Sequence, residues 1–243
     1  MKEVLISASI ACADFGHLTE QIRELEEAGV AFLHFDVVDG RFAPTFIMGP
    51  PVLASLRPYT KIPFEVHLAC WNPEKYVEQF VQAGADYIAY HVEATADPER
   101  LAEVIRSVGA RPVVALCPET SSEAISDALL AQVDMVLVLA VHPGFAGQKF
   151  IPGTVEKIRR LAYRIESLGL RCLIEVDGNV NEQTIPEVVE AGARVLIGGT
   201  SGLFRKDRGL KASVQIMREA ACRGVQEEAS QRFLGSACTT TRS

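Results

Sequence analysis

The sequence predicts a single α/β domain folded as a closed (β/α)8 barrel, and three observations carry that prediction. Eight short hydrophobic runs of strand character alternate with helical segments, the pattern of parallel strands joined by crossover helices. An Ala-Gly pair recurs where a helix gives way to a strand, in Glu27-Ala28-Gly29-Val30, Gln82-Ala83-Gly84-Ala85 and Glu190-Ala191-Gly192-Ala193. Three of the runs end on acids and imidazoles: His34-Phe35-Asp36, Glu65-Val66-His67 and Glu175-Val176-Asp177. Those ends converge only if the strands lie parallel and curl around one axis. At 243 residues the chain has the length of one such barrel. An open doubly wound sheet ranks well below it, because no GxGxxG follows the first strand.

Taken in order, Val4-Leu5-Ile6-Ser7-Ala8 forms the first strand. A helix follows from about His17 to Ala28, where Gly29 stops it. The second strand leads from Val30 through His34 and Asp36 to the turn Asp39-Gly40, in which Asp39 serves the turn rather than chemistry. A long loop through Phe42 and Pro44 reaches Gly49-Pro50 and a short helix to about Leu56. The third strand is Ile62 to His67. Asn72-Pro73 opens the next helix, with Pro73 placed where a missing N–H costs little, and Ala83-Gly84 closes it. The remaining strands are Tyr87 to Val92, Pro112 to Leu116, Met135 to Val141, Arg171 to Val176 and Arg194 to Ile197. The clearest intervening helix spans about Val155 to Ser167. The barrel is assigned to residues 1–222. From Gly224 onward periodicity is lost, and residues 223–243 are expected to be a frayed tail.

Composition narrows the functional classes. A formal charge of -7 and the lack of a basic patch argue against a nucleic-acid partner, though not against small phosphorylated ligands. No apolar stretch approaches the roughly 18 residues that a membrane span needs, and the opening hydrophobic run is too short for a signal peptide. The six cysteines (Cys12, Cys70, Cys117, Cys172, Cys222 and Cys238) contain no CxxC pair, which fits reduced thiols in a cytoplasmic protein.

Side chains alternate along a strand, so His34 and Asp36 share a face. In a barrel the strand ends gather at one rim, which brings His34, Asp36, His67 and Asp177 together. Two imidazoles and two carboxylates suit one divalent transition metal (Zn, Fe, Mn or Co) better than Mg or Ca. Against this stands the plainer reading that a histidine ending a strand is a satisfied structural residue, and spacing alone leaves both open. His91 is read as structural or as support behind a ligand, and His17 as a solvated side chain at a helix start. A second constellation is the small-residue loop His142-Pro143-Gly144-Phe145-Ala146-Gly147-Gln148, with Asp177-Gly178-Asn179 and Gly198-Gly199-Thr200-Ser201-Gly202 after the last two strands. Such loops let backbone N–H groups close on an anion, and those after strands seven and eight are the recurrent phosphate site of this architecture.

From Ile6-Ser7-Ala8-Ser9-Ile10 to about Phe204 the sequence resembles the ribulose-phosphate 3-epimerase family. The carriers are His34-Phe35-Asp36-Val37-Val38-Asp39-Gly40, Glu65-Val66-His67-Leu68, Pro143-Gly144-Phe145-Ala146-Gly147-Gln148 and Glu175-Val176-Asp177-Gly178. The resemblance implies a TIM barrel of the ribulose-phosphate-binding type, cytoplasmic and homo-oligomeric. It implies one catalytic metal on His34, Asp36, His67 and Asp177, with Asp36 as the base on one side of the substrate and Asp177 as the acid on the other. The partner would be a small phosphorylated ketose, contacted by Ser9 and His67 and by Gly144, Phe145, Ala146, Gly147, Gly178, Asn179, Gly199 and Thr200. The reaction implied is inversion at C3 of D-ribulose 5-phosphate, within the pentose phosphate pathway. The chain departs from the family pattern where Val38, Ala69 and Leu139 replace pocket methionines, His142 an asparagine, and Ala146 and Asn179 glycines. The Gly-Phe-Ala-Gly-Gln loop and Thr200-Ser201-Gly202-Leu203-Phe204 also resemble D-allulose-6-phosphate 3-epimerases. A non-catalytic sugar-phosphate barrel would dispense with Asp36 or Asp177, and a barrel decarboxylase would carry a lysine at the strand ends. Neither description fits the residues present.

Overall fold

The strand that begins the chain is held between the second strand and the last. The computed structural model describes residues 3–239. Its strands are β1 (Leu5–Ser9), β2 (Phe32–Asp39), β3 (Phe46–Ile47), β4 (Phe64–Ala69), β5 (Tyr87–His91), β6 (Arg111–Leu116), β7 (Met135–Leu139), β8 (Leu173–Asp177) and β9 (Val195–Gly198). Leaving β3 aside, each pairs in parallel with its neighbours in the order β1-β9-β8-β7-β6-β5-β4-β2, and the β1–β2 pairing closes the ring. The eight-stranded parallel barrel is therefore as expected. Between the strands run α1 (Leu18–Ala28), α2 (Pro50–Leu56), α3 (Val77–Gln82), α4 (Pro98–Ser107), α5 (Asp127–Gln132), α6 (Gly153–Ser167) and α7 (Ile185–Glu190), and α8 (Leu210–Thr239) follows β9.

Alternation along each strand produces two nested cores. Outward-facing Leu33, Phe35, Val66, Leu68, Ile88 and Val114 bury against helix residues such as Ile22, Leu25, Leu53 and Ile105. Inward-facing Phe32, Ala89, Val113, Met135, Leu137, Val195 and Ile197 fill the barrel. Gly29, with φ of 76°, ends α1 in the left-handed conformation that glycine adopts without strain, as its place in the sequence implies.

Three details differ from the sequence reading. The loop after β2 contains the short antiparallel strand β3, which pairs Val38 with Ile47 and Asp39 with Phe46. The segment begun by Asn72-Pro73 is a 3-10 turn over Pro73–Lys75 before α3 begins at Val77. Helix α8 continues beyond residue 222 and through Gly224, where a frayed tail was expected. Gly224 lies so close to α7 that an added Cβ would meet the Pro186 carbonyl oxygen at 2.6 Å. Glu228, one turn on, pairs with Arg194. This close approach extends the docking of the helix on the barrel along the face that buries Leu210, Val214, Met217, Ala220 and Ala221. Residues 240–243 of the expected tail lie outside the described residues.

Candidate active site

Strand register delivers the polar groups to one end of the barrel. Ser9 pairs with His34, His34 with Glu65, and Asp36 with His67. Strand β8 lies three places from β2 around the ring and carries Glu175 and Asp177 opposite Leu137 and Leu139 of β7. Alternation then sets the inward-facing polar groups at two depths. His34, Glu65 and Glu175 are fully buried in the barrel, while Asp36, His67 and Asp177 line the cavity above them.

At the upper level, Asp36 Oδ1 lies 3.0 Å from His67 Nδ1 and 3.3 Å from His34 Nε2, and Asp36 Oδ2 accepts a hydrogen bond from the Ser9 hydroxyl at 3.1 Å. Burial alone would raise the Asp36 carboxyl, but His34 and His67 beside it prevail and hold it well below the usual carboxylate range. Asp177 has the opposite balance. Burial and then the nearby Asp36 carboxylate push it up to about 6. Two aspartates on one cavity are thus set apart in acidity by their surroundings, the pattern of an acid and a base.

At the lower level, His34 Nδ1 is 3.1 Å from Glu65 Oε2. Glu175 lies against this pair, with the ligand atoms of His34, Glu65 and Glu175 all within 4.8 Å of one another. Burial and then the Glu65 carboxylate push Glu175 far above its ordinary range, so Glu175 keeps its proton. With Glu65 occupying its Nδ1, His34 turns Nε2 toward Asp36. Despite the 3.3 Å approach, that buried nitrogen has no aligned hydrogen-bond partner.

The remaining residues singled out in the sequence fall on the same cavity. Ser9, Asp36, His67 and Asp177 form part of its wall, and Gly144, Phe145, Ala146, Gly147, Gly178, Asn179, Gly199 and Thr200 line the rest. Gly178, with φ of 110°, could not carry a side chain, because a Cβ would lie 2.9 Å from the Val141 amide nitrogen and 2.7 Å from its side chain. Asn179, where the family has glycine, adopts φ of 52°, a left-handed conformation that asparagine tolerates better than most residues. After β9 a single tight turn forms, with the amides of Gly202, Leu203 and Phe204 all donating to the Gly199 carbonyl. His142 lines the cavity's exposed side, with its Nδ1 3.1 Å from Glu119. Asp39 accepts hydrogen bonds from the amides of Arg41, Phe42 and Trp71, which is the turn role expected of it. His17, exposed at the start of α1, is bonded to Asp14 at 2.9 Å.

Sequence reasoning missed four residues of this centre. Glu65 and Glu175 each lie two positions before a residue that was singled out, so period-2 alternation was signal enough to turn them inward. Glu93 lies just past β5, bonded to His91, and Cys12 is on the cavity wall. Neither carries a spacing signal, because what places them is a turn rather than a strand face.

The donor set fits a metal. His34 Nε2 lacks a hydrogen-bond partner, and the ligand atoms of His34, Asp36 and His67 lie within 4.8 Å of one another. Asp177 lies outside that tight group, on the same cavity.

The model of the ribulose-phosphate 3 epimerase family matches residues 5–204. The chain is 44% identical over 225 residues to a ribulose-phosphate 3-epimerase of Methanocaldococcus jannaschii, covering 93% of this chain and 94% of that one. It is 43% identical over 206 residues to one of Chlamydia muridarum, covering 84% and 90%. Among solved structures, the 3-hexulose-6-phosphate synthase of Salmonella typhimurium superposes with a TM-score of 0.64 over 92% of this chain and 100% of that one. At 14% identity that likeness concerns the barrel alone. The sequence match, by contrast, runs through every strand that carries a polar group of the cavity, and the chain belongs to the ribulose-phosphate 3-epimerase family.

Proposed function

We propose that the protein is a metal-dependent ketose-phosphate 3-epimerase that interconverts D-ribulose 5-phosphate and D-xylulose 5-phosphate in the cytoplasm, working as a homo-oligomer. The observation that carries this reading is the pair Asp36 and Asp177: two carboxyls on one cavity, three strands apart, with surroundings that drive their acidities in opposite directions. Inverting C3 of a ketose phosphate means removing the proton beside the C2 carbonyl and returning one to the other face. Asp36, ionised and steadied by Ser9 and His67, accepts the proton from one face. Asp177, near neutrality in its acidity, delivers a proton to the other, and the roles exchange in reverse. Each such step contributes about 10²–10⁴-fold. The loops carrying Gly144, Gly147, Gly178 and Gly199 receive the phosphate on backbone amides, which places C3 between the carboxyls. A divalent Zn, Fe, Mn or Co ion held by His34, Asp36, His67 and Asp177 would add Lewis-acid stabilisation of the negative charge on the sugar oxygens at C2 and C3.

The test is epimerisation of ribulose 5-phosphate before and after chelation, with elemental analysis. Turnover should vanish with the metal and return with one of the four ions. Full turnover in metal-free protein would remove the metal from the reading.

A second substrate is favoured by one feature of the cavity. Val38, Ala69 and Leu139 line it where the family resemblance leads one to expect methionines, and Val38 and Ala69 form a small buried cluster with Ala43. The shorter side chains leave room for a longer sugar, so allulose 6-phosphate should be epimerised as well. A kcat/KM more than about three decades lower for the six-carbon sugar, roughly 4 kcal/mol in the transition state, would show that the room is not used.

A further inference from the structure

His67 has two ring nitrogens, and the structure engages both. Nδ1 faces Asp36 Oδ1 at 3.0 Å, and Nε2 faces Nε2 of His91 at 2.8 Å. At that separation one proton must lie between the two rings, and the question is which ring supplies it. The other face of His91 supplies the answer. Its Nδ1 is 3.2 Å from Glu93 Oε2, and Glu93 Oε1 accepts the backbone N–H of Cys117 at 2.9 Å. Cys117 Sγ, at 3.5 Å from the same His91 nitrogen, is the weaker partner. The His91 side chain is fully buried, and the Phe42 ring packs over it with centroids 4.5 Å apart. An ionised carboxylate only accepts hydrogen bonds, so Glu93 requires the proton on His91 Nδ1. His91 Nε2 is then a bare acceptor and the proton between the rings belongs to His67 Nε2, so Nδ1, which faces Asp36, is the His67 nitrogen left to a metal.

We propose that Glu93, acting through His91, keeps the Nε2 proton on His67 so that Nδ1, beside Asp36, is the nitrogen offered to the metal, which makes Glu93 and His91 positioning residues of the centre. The inference rests on the metal reading of the site given above. A carboxylate behind a liganding imidazole is a general device for fixing ring orientation and raising ligand basicity. Here the device is one imidazole longer, and it reaches a carboxylate that lies past the end of β5.

Two measurements on the full-length protein test this. The first needs no variant: ¹⁵N NMR of the imidazoles in metal-free wild type, with the His67 signals identified by their loss in His67→Gln. Protonation at Nε2 is expected, and a bare Nε2 overturns the proposal. The second is Co²⁺ titration of Glu93→Gln beside wild type. The Cys117 N–H demands an acceptor, so the amide oxygen serves it and the NH₂ group turns to His91 Nδ1. That reverses the hydrogen bonds through His91, leaves His67 Nε2 bare and holds a proton on His67 Nδ1. Cobalt affinity should fall about 10–100-fold with the stoichiometry still one, and His67 Nε2 should lose its proton in the ¹⁵N spectrum. An affinity within about twofold of wild type overturns the positioning role, whereas a wild type that binds no cobalt overturns the metal reading and the role together.

Discussion

Asp36 and Asp177 are the same side chain in two electrostatic settings, and the difference can be tested one residue at a time. With Asp177→Asn, turnover should drop by at least about 10²-fold in both directions, because one face loses its proton carrier. Asp36 should still exchange the C3 hydrogen of one epimer with solvent deuterium, and Asp36→Asn should show the mirror pattern with the other. NMR of C3–H loss in D₂O from each epimer, with metal content measured in each variant, decides this. Equal exchange from both epimers in a metal-loaded variant would mean that one base reaches both faces. The raised Asp177 acidity constant has its own signature in the metal-free protein. Its carboxyl titrates near 6 in the fold against 3.8 for the ordinary group. Between those values the folded chain holds a proton that the unfolded chain has released, so this contribution to stability is present at low pH and disappears as pH rises through 6. Denaturant melts should show wild type losing about 1 kcal/mol relative to Asp177→Asn between pH 5 and 7. A constant difference across that range would refute the shift. Gly178 permits a steric test. Gly178→Ala puts a Cβ against Val141 in a left-handed conformation, a strain of about 1–3 kcal/mol. The loop must move to relieve it, and KM for the phosphorylated substrate should rise.

At the level of elements, the strands were legible because a buried strand advertises itself locally, as a short apolar run closed by a turn signal. The four candidate residues His34, Asp36, His67 and Asp177 gather at one end of the barrel for the same reason, since they end such runs. What escaped depended on contacts distant in sequence. The two residues of β3 form a strand only because Val38 and Asp39 are there to pair with them. Helix α8 runs past Gly224 because Pro186, Val189 and Arg194 await it, and nothing near Gly224 announces that surface. The Glu65 and Glu175 layer was visible in principle, yet an acid facing the middle of a barrel is unexpected until its neighbour is seen. The α7–α8 contact makes a prediction at this scale. Gly224→Val would force a side chain into the Pro186 carbonyl and Val189 and should cost about 1–3 kcal/mol of stability without touching the cavity. Chemical denaturation would show the loss, and an unchanged midpoint would mean that α8 adjusts freely.

For the whole molecule, the buried His34 Nε2 at the cavity end of the barrel has no aligned hydrogen-bond partner, while apolar side chains fill the barrel below. Metal binding should therefore register as stability of the entire domain. At a free metal concentration 100 times Kd the folded state gains about 2.7 kcal/mol. For a domain of this size each kcal/mol shifts Tm by roughly 2–4 °C, so calorimetry should show a rise of about 5–10 °C that chelator reverses. An unchanged Tm would mean that the site does not bind the ion added. The ring closure has a consequence for how such a molecule is made. Strand β1 leaves the ribosome before the other strands of the barrel, but one of its two pairing partners is β9, the last of them to follow. Throughout synthesis the growing sheet therefore has two raw edges, β1 on one side and the newest strand on the other. A chain arrested before Val195 is left in that open state, ready to pair with a second nascent copy instead of with itself.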